Sequence, residues 1–216
     1  MTRFIYVEIE AFDKHKYEEL LTLFPEKTRN EVLKLKKWES GYIRLLSKML
    51  LLKGMQCFNM VDFSFDLLQY TVYGRPFFND SIDFNISHTN NCAVCIISDS
   101  LKVGVDVEEI RNIDLDDFSE SFDASEWRSL TESPAPIHTF FNYWTRKEAI
   151  IKADGRGMNM PLSSVNVQDS IASIEGNTWH LKEIKLPAAN NYAIHIATNE
   201  LPGDNELEII RFTDYY

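Results

Sequence analysis

The chain has 216 residues, 44% hydrophobic and 25% charged, a balance that excludes a disordered or fibrous protein and suits one domain or two small ones. A net charge of −11 argues against general nucleic-acid binding, because affinity for a phosphate backbone needs clustered Lys and Arg. No apolar stretch approaches the roughly 18 residues that span a bilayer, and the N-terminus reads as a strand without an export signal, so the expected location is the cytoplasm and no membrane is engaged.

A short strand is predicted over residues 3–10. Pro25 then opens a helix over 26–37, and a second helix over 40–56 carries Leu45, Leu46, Met49, Leu50 and Leu52 at helical spacing, which assigns them to the core. Between Lys27 and Lys53 these helices hold eight basic residues against two acidic ones, Glu31 and Glu39. The stretch is either a solvated helix face or a site for a small phosphorylated ligand. Strands are predicted at 82–86, 91–98 and 102–108, the last two joined as a hairpin through Ser98, Asp99 and Ser100. Cys92 and Cys95 form a CxxC on the middle strand; three residues apart there, they point to opposite faces and read as buried thiols. A helix follows over 137–153. Short segments at 163–168, 178–186 and 191–198 come next, the last two paired across 187–190, and a strand at 206–212 ends the chain. Together these elements imply an α+β fold in two halves, 1–100 and 101–216. The first hundred residues carry 12 basic and 13 acidic side chains and the rest 10 and 20, so the excess acid lies in the second half.

Chemistry concentrates in three places. Along Val103-Gly104-Val105-Asp106-Val107-Glu108 the strand period of two puts Asp106 and Glu108 on one face and the valines on the other. Such a pair is either an exposed edge or two oxygen ligands for a hard cation, with Gly104 allowing close backbone approach. In Trp144-Thr145-Arg146-Lys147-Glu148-Ala149-Ile150-Ile151-Lys152, a helix stopped by Gly155, the spacing aligns Trp144, Glu148 and Lys152 on one stripe. Glu148 and Lys152 form a surface ion pair, or else a further oxygen ligand or base with a counter-charge. The third place is Gly74-Arg75-Pro76 followed by Phe84-Asn85-Ile86-Ser87-His88, where hydroxyl, imidazole and guanidinium suit phosphate oxygens. Neither a P-loop nor a G-x-G-x-x-G is present.

The order and spacing of these motifs, with Gly155-Arg156-Gly157 behind them, resemble the surfactin-type 4′-phosphopantetheinyl transferases through most of the chain. The resemblance implies two pseudosymmetric α+β halves with coenzyme A and Mg2+ in the cleft between them. By position it makes Asp106, Glu108 and Glu148 the metal ligands. Lys147 and Lys152 fall near the pyrophosphate, while Lys27, Arg44, Arg75, Ser87 and His88 hold the 3′-phosphate, the adenine end or the pyrophosphate. Glu126 falls where the family has an acidic residue near the active site. Arg75 stands where a lysine is common, and Asn30 where some members carry a second basic residue.

The activity implied is attack of a carrier-protein serine on the β-phosphorus of coenzyme A, with 3′,5′-ADP leaving, Glu148 taking the serine proton, and Lys152 and the metal site neutralising charge. The family form implies a monomer whose partners are coenzyme A and an apo acyl or peptidyl carrier protein. Phe118, Phe122, Trp127 and Phe140 are either carrier contacts or core. Two alternatives stand beside this reading: another magnesium-dependent nucleotide enzyme, and a catalytically idle carrier-binding module.

Overall fold

The computed structural model describes residues 1–79, 81–187, 191–202 and 207–213. In chain order the strands are β1 (Thr2–Glu8), β2 (Gln69–Tyr70), β3 (Pro76–Phe77), β4 (Asp83–His88), β5 (Cys92–Ser98), β6 (Val103–Glu109), β7 (Asn166–Gln168), β8 (Ile171–Ile174), β9 (Asn177–Glu183), β10 (Tyr192–Thr198) and β11 (Leu207–Arg211). The helices are α1 (Lys14–Thr22), α2 (Glu26–Leu33), α3 (Trp38–Cys57), α4 (Ala124–Thr131) and α5 (Pro136–Asp154). One sheet runs β11-β1-β5-β4, a second runs β6-β10-β9-β8-β7, and β2 pairs with β3 alone. This is an α+β fold, in which the C-terminal strand β11 returns to lie parallel to β1 in the first sheet. Among the described residues no helix is long and apolar enough to cross a membrane.

Alternation along the strands builds the layers. On β1, Ile5 and Val7 join the core beneath α3, whereas Phe4 and Tyr6 face Val103, Val105 and Val107 of β6 across the gap between the sheets. On β5, Cys95 lies in the first core and Cys92 in the second; both are free thiols, and burial pushes both pKa values up. Beyond the second sheet, α5 packs Ala149, Ile150 and Ala153 against Trp179, Leu181 and Ala197. The order is therefore helix, sheet, sheet, helix.

The predicted hairpin between residues 91–98 and 102–108 does not form. Both edges of β5 are already taken, by β1 and β4, so the chain crosses at residues 99–102 to open the second sheet with β6. The helix predicted over 26–37 stops at Leu33, and α3 begins at Trp38. β9 and β10 do pair antiparallel, although residues 188–190 between them lie outside the described residues. Two helices went unpredicted. Only Tyr17 and Leu20 of α1 are buried, so its apolar repeat is faint. α4 had a readable start in Asp123 and Glu126, which form a capping box.

The junction of the sheets positions the site. β6 is an edge strand, and its outward N–H groups find side chains instead of a neighbouring backbone. Asp83 Oδ2 accepts from Val103 N at 2.7 Å and Asn85 Oδ1 from Val105 N at 3.1 Å. Every second residue of β4 thus covers the open edge of β6.

Candidate active site

Gly104 sets how closely α5 lies on β6. A Cβ there would fall 2.1 Å from Ala149 O and 2.5 Å from Ala153 N, so any other residue would push the helix away. At this separation Lys152 reaches the strand. Its Nζ lies 2.6 Å from Asp106 Oδ1 and donates to Ser87 Oγ at 2.9 Å, and the Ser87 hydroxyl donates to the same Asp106 oxygen at 2.9 Å. Residues from β4, β6 and α5 thereby converge on one carboxylate. Asp106 is 3% exposed, and its Oδ2 is buried with no hydrogen-bond partner. An unpartnered buried carboxylate oxygen is costly until a cation or donor completes it.

Glu108 and Glu148 flank this point. Burial, then the Asp106 charge, pushes the Glu108 carboxyl above the usual range against the pull of Arg111, whose Nη1 is 3.4 Å away. Burial and then Asp106 likewise raise Glu148, with Lys152 opposing. Asp106 thus couples to both other carboxylates, and an all-oxygen donor set suits a hard cation. Among the described residues no three His, Cys, Asp or Glu groups close into a ready-made metal cage. Magnesium does not require one, since it commonly keeps several waters and takes one or two carboxylates together with substrate phosphates.

A row of cations leads to the carboxylates. The half-buried Lys48 ammonium is pushed down in pKa first by burial, then by Arg44 and Lys27, with Glu31 opposing, and it sits 4.9 Å from the centre of the Phe65 ring. Part of the His88 ring is exposed, yet desolvation of the rest, followed by Arg44 and Lys152, lowers its pKa. Cationic groups therefore extend from Lys27 through Arg44 and Lys48 to Lys152, with the His88 imidazole between Arg44 and Lys152, and the acidic side begins at Lys152. Lys48 is one of the eight basic residues between Lys27 and Lys53 but not one of the named ligand contacts; its spacing of four from Arg44 on one helix was the available signal.

Two of the residues expected at the ligand are engaged by the protein itself. Lys147 is 1% exposed, with Nζ 2.6 Å from Glu126 Oε2 and donating to Leu162 O at 3.1 Å and Val165 O at 3.0 Å. All three ammonium donors are spent inside the protein, because neighbours on a helix point about 100° apart and Lys147 faces away from the stripe of Glu148 and Lys152. Arg75 is engaged too: its Nη1 and Nη2 bind Asp83 and the carbonyls of Phe84, Val103, Lys152 and Ala153. Glu126, expected near the active site, pairs with Lys147 and completes the α4 capping box. Of the four aromatics, Phe122 and Phe140 are buried in one core cluster, with Phe140 stacked on Trp144 at 5.5 Å, while Phe118 and Trp127 pack against that cluster partly buried.

The chain is similar to proteins of one family. A model of the 4′-phosphopantetheinyl transferase superfamily matches residues 102–197, the segment holding Asp106, Glu108, Glu148 and Lys152. A 4′-phosphopantetheinyl transferase of Aneurinibacillus migulanus is 30% identical over 168 residues, which cover 76% of this chain and 70% of that protein. The chain belongs to the 4′-phosphopantetheinyl transferase family. Further 4′-phosphopantetheinyl transferases match from Bacillus subtilis (32% identical, 61% of this chain and 63% of that protein) and Bacillus pumilus (41% identical, 39% and 36%). Among solved structures, Thermotoga maritima holo-[acyl-carrier-protein] synthase matches 45% of this chain and 62% of its own, with a TM-score of 0.35 and 18% identity, too slight a likeness to carry an argument. The 4′-phosphopantetheinyl transferase family transfers phosphopantetheine to carrier proteins, and the α+β fold and enzyme class expected from the sequence are those of this family.

Proposed function

We propose that this chain moves the 4′-phosphopantetheine arm of coenzyme A onto a serine of an apo carrier protein, in the cleft where β4, β6 and α5 meet. The observation that carries the assignment of the site is the convergence of Ser87, Lys152 and a buried, incompletely satisfied Asp106, with Glu108 and Glu148 beside them and the cation row leading in.

Lys27, Arg44 and His88 hold the 3′-phosphate and adenine end of coenzyme A, with charge-assisted hydrogen bonds as the physical basis. Ser87 and Lys152 orient the pyrophosphate. Asp106, Glu108 and Glu148 are the residues that would hold Mg2+, and the unpartnered Asp106 Oδ2 together with the all-oxygen donor set fits that ion. When bound, Mg2+ supplies charge neutralisation and Lewis acidity at the pyrophosphate. The carrier serine Oγ attacks the β-phosphorus, the bond to the 3′,5′-ADP oxygen breaks, and the serine proton passes to Glu148. Lys152 stabilises the charge that develops on the phosphoryl oxygens.

Mass spectrometry of an apo carrier domain incubated with the protein, coenzyme A and Mg2+ tests the reaction. One phosphopantetheine should be added to the carrier, and none when a chelator is present. For Glu148, replacement by Ala should slow loading by about tenfold or more; undiminished turnover would remove it from the mechanism.

A further inference from the structure

The guanidinium of Gly74-Arg75-Pro76 is a clamp. Only 11% of the Arg75 side chain is exposed. Nη2 lies 2.9 Å from each Asp83 carboxylate oxygen, 2.9 Å from Val103 O and 3.3 Å from Phe84 O. Nη1 donates to Lys152 O and, at 3.1 Å, to Ala153 O. These acceptors belong to β4, to β6 and to the last turn of α5. A guanidinium spans all three because its donors are fixed in one plane, whereas a lysine ammonium is a single point. Its charge also complements the carbonyl end of the helix. Gly155 clears the way: its φ is +90°, and a Cβ there would stand 3.0 Å from Arg75 Cδ. Asp83 closes the arrangement by accepting from Val103 N at 2.7 Å.

The carbonyl that Arg75 holds belongs to Lys152, whose ammonium rests on Asp106 and Ser87. The geometry points to Arg75 as a positioning residue: with Asp83 it pins the last turn of α5 to the junction of the two sheets and thereby sets Lys152 over Asp106, and it does not itself hold the phosphates of the substrate. Lysine at this position keeps the charge and loses the span. This chain therefore uses Arg75 for architecture and leaves phosphate binding to the Lys27, Arg44, Lys48 and His88 row.

The kinetic test rests on the transfer reading, and a second test does not. Arg75→Lys should lower kcat by about tenfold or more while KM for coenzyme A stays within about threefold, since a displaced Lys152 is felt in the transition state. Asp83→Asn, which retains an acceptor for Val103 N–H, should move kcat the same way by less, and the double variant should be no worse than Arg75→Lys because both remove one clamp. Amide hydrogen exchange across residues 103–106 and 152–155 should quicken in both single variants. A KM raised about tenfold with kcat and exchange unchanged would make Arg75 a phosphate ligand and overturn the proposal, as would two variants indistinguishable from wild type. If the wild-type chain loads no carrier, the transfer reading fails by itself, and unchanged exchange in both variants would then refute the clamp.

Discussion

β1, held between β11 and β5, and β6, at the edge of its sheet, make matching antiparallel ladders and do different things. Each pairs antiparallel over seven residues, β1 from Thr2↔Ser98 to Glu8↔Cys92 and β6 from Val103↔Thr198 to Glu109↔Tyr192. The bond beyond each ladder recurs as well, from Ile9 N to Asn91 O and from Ile110 N to Asn191 O, both 2.7 Å. The fourth pair differs. In the first sheet it is Ile5 with Cys95, both 0% exposed, and in the second it is Asp106 with His195, 3% and 1% exposed. One register line thus separates a core from a site. Burying two ionisable groups there demands partners, which arrive from α5 as Lys152, Thr145 and Arg146 and from β4 as Ser87.

His195 illustrates the demand. Arg146 Nε donates to His195 Nε2 at 3.4 Å, which leaves the ring proton on Nδ1 to be donated to Thr145 Oγ1 at 2.8 Å, and Thr145 in turn donates to Phe141 O at 2.7 Å. Burial first, and then Arg146, pushes the imidazole pKa down to about 3.

The comparison is broken most directly at its fourth pair. Asp106→Asn keeps the shape and an acceptor for Ser87 but removes the charge, and carrier loading should fall by about a thousandfold with the circular dichroism spectrum unchanged. Loading within a few-fold of wild type would return Asp106 to the rank of Ile5.

The close-approach glycines come next. In the first unit the glycine is on the helix, where a Cβ on Gly54 meets the Ile97 Cγ2 methyl at 3.1 Å; in the second it is Gly104 on the strand, facing helix backbone. Gly104→Ala should cost about 3 kcal/mol, whereas Gly54→Ala should stay within about 1 kcal/mol, because helix propensity offsets a small side-chain shift. Denaturant unfolding checks the asymmetry, and equal losses would remove it.

A smaller effect is expected from pH. The unfolded chain protonates its histidine near pH 6.5 and folded His195 only near pH 3, so the stability due to its neutral form is whole above 6.5 and is lost as pH falls toward 3. Between pH 6.5 and 5 that loss is about 2 kcal/mol, and His195→Gln should flatten the profile there. Smallest of all is the cap of α4: Asp123→Ala should cost about 1 kcal/mol in thermal unfolding, somewhat more than Asp13→Ala, since Asp13 caps α1 without a capping box.

Much of the site was legible from pattern. The clean alternation from Val103 to Glu108 placed Asp106 and Glu108 on one face, and the helical repeat placed Glu148 and Lys152 on one stripe. The internal partners of Arg75 and Lys147 were not legible, because charge and motif position say nothing of which carbonyls or carboxylates lie within reach. Lys147 finds Glu126 and two carbonyls, and Arg75 finds Asp83 and four. The 99–102 connection looked like a hairpin because a turn reads alike whether the next strand pairs or crosses to another layer.

By itself the sequence determined the directions in which side chains leave each strand and helix and the division between a basic helix pair and an acidic second half. Tertiary structure alone decided that Ser87 and Lys152 share an oxygen of Asp106, that β4 side chains close the edge of β6, and that two of the predicted phosphate ligands hold the scaffold together. The reason is the range of the forces involved. Side-chain direction follows from the local repeat of the backbone, whereas the partner of a buried charge is whichever donor or acceptor packing brings within about 3 Å.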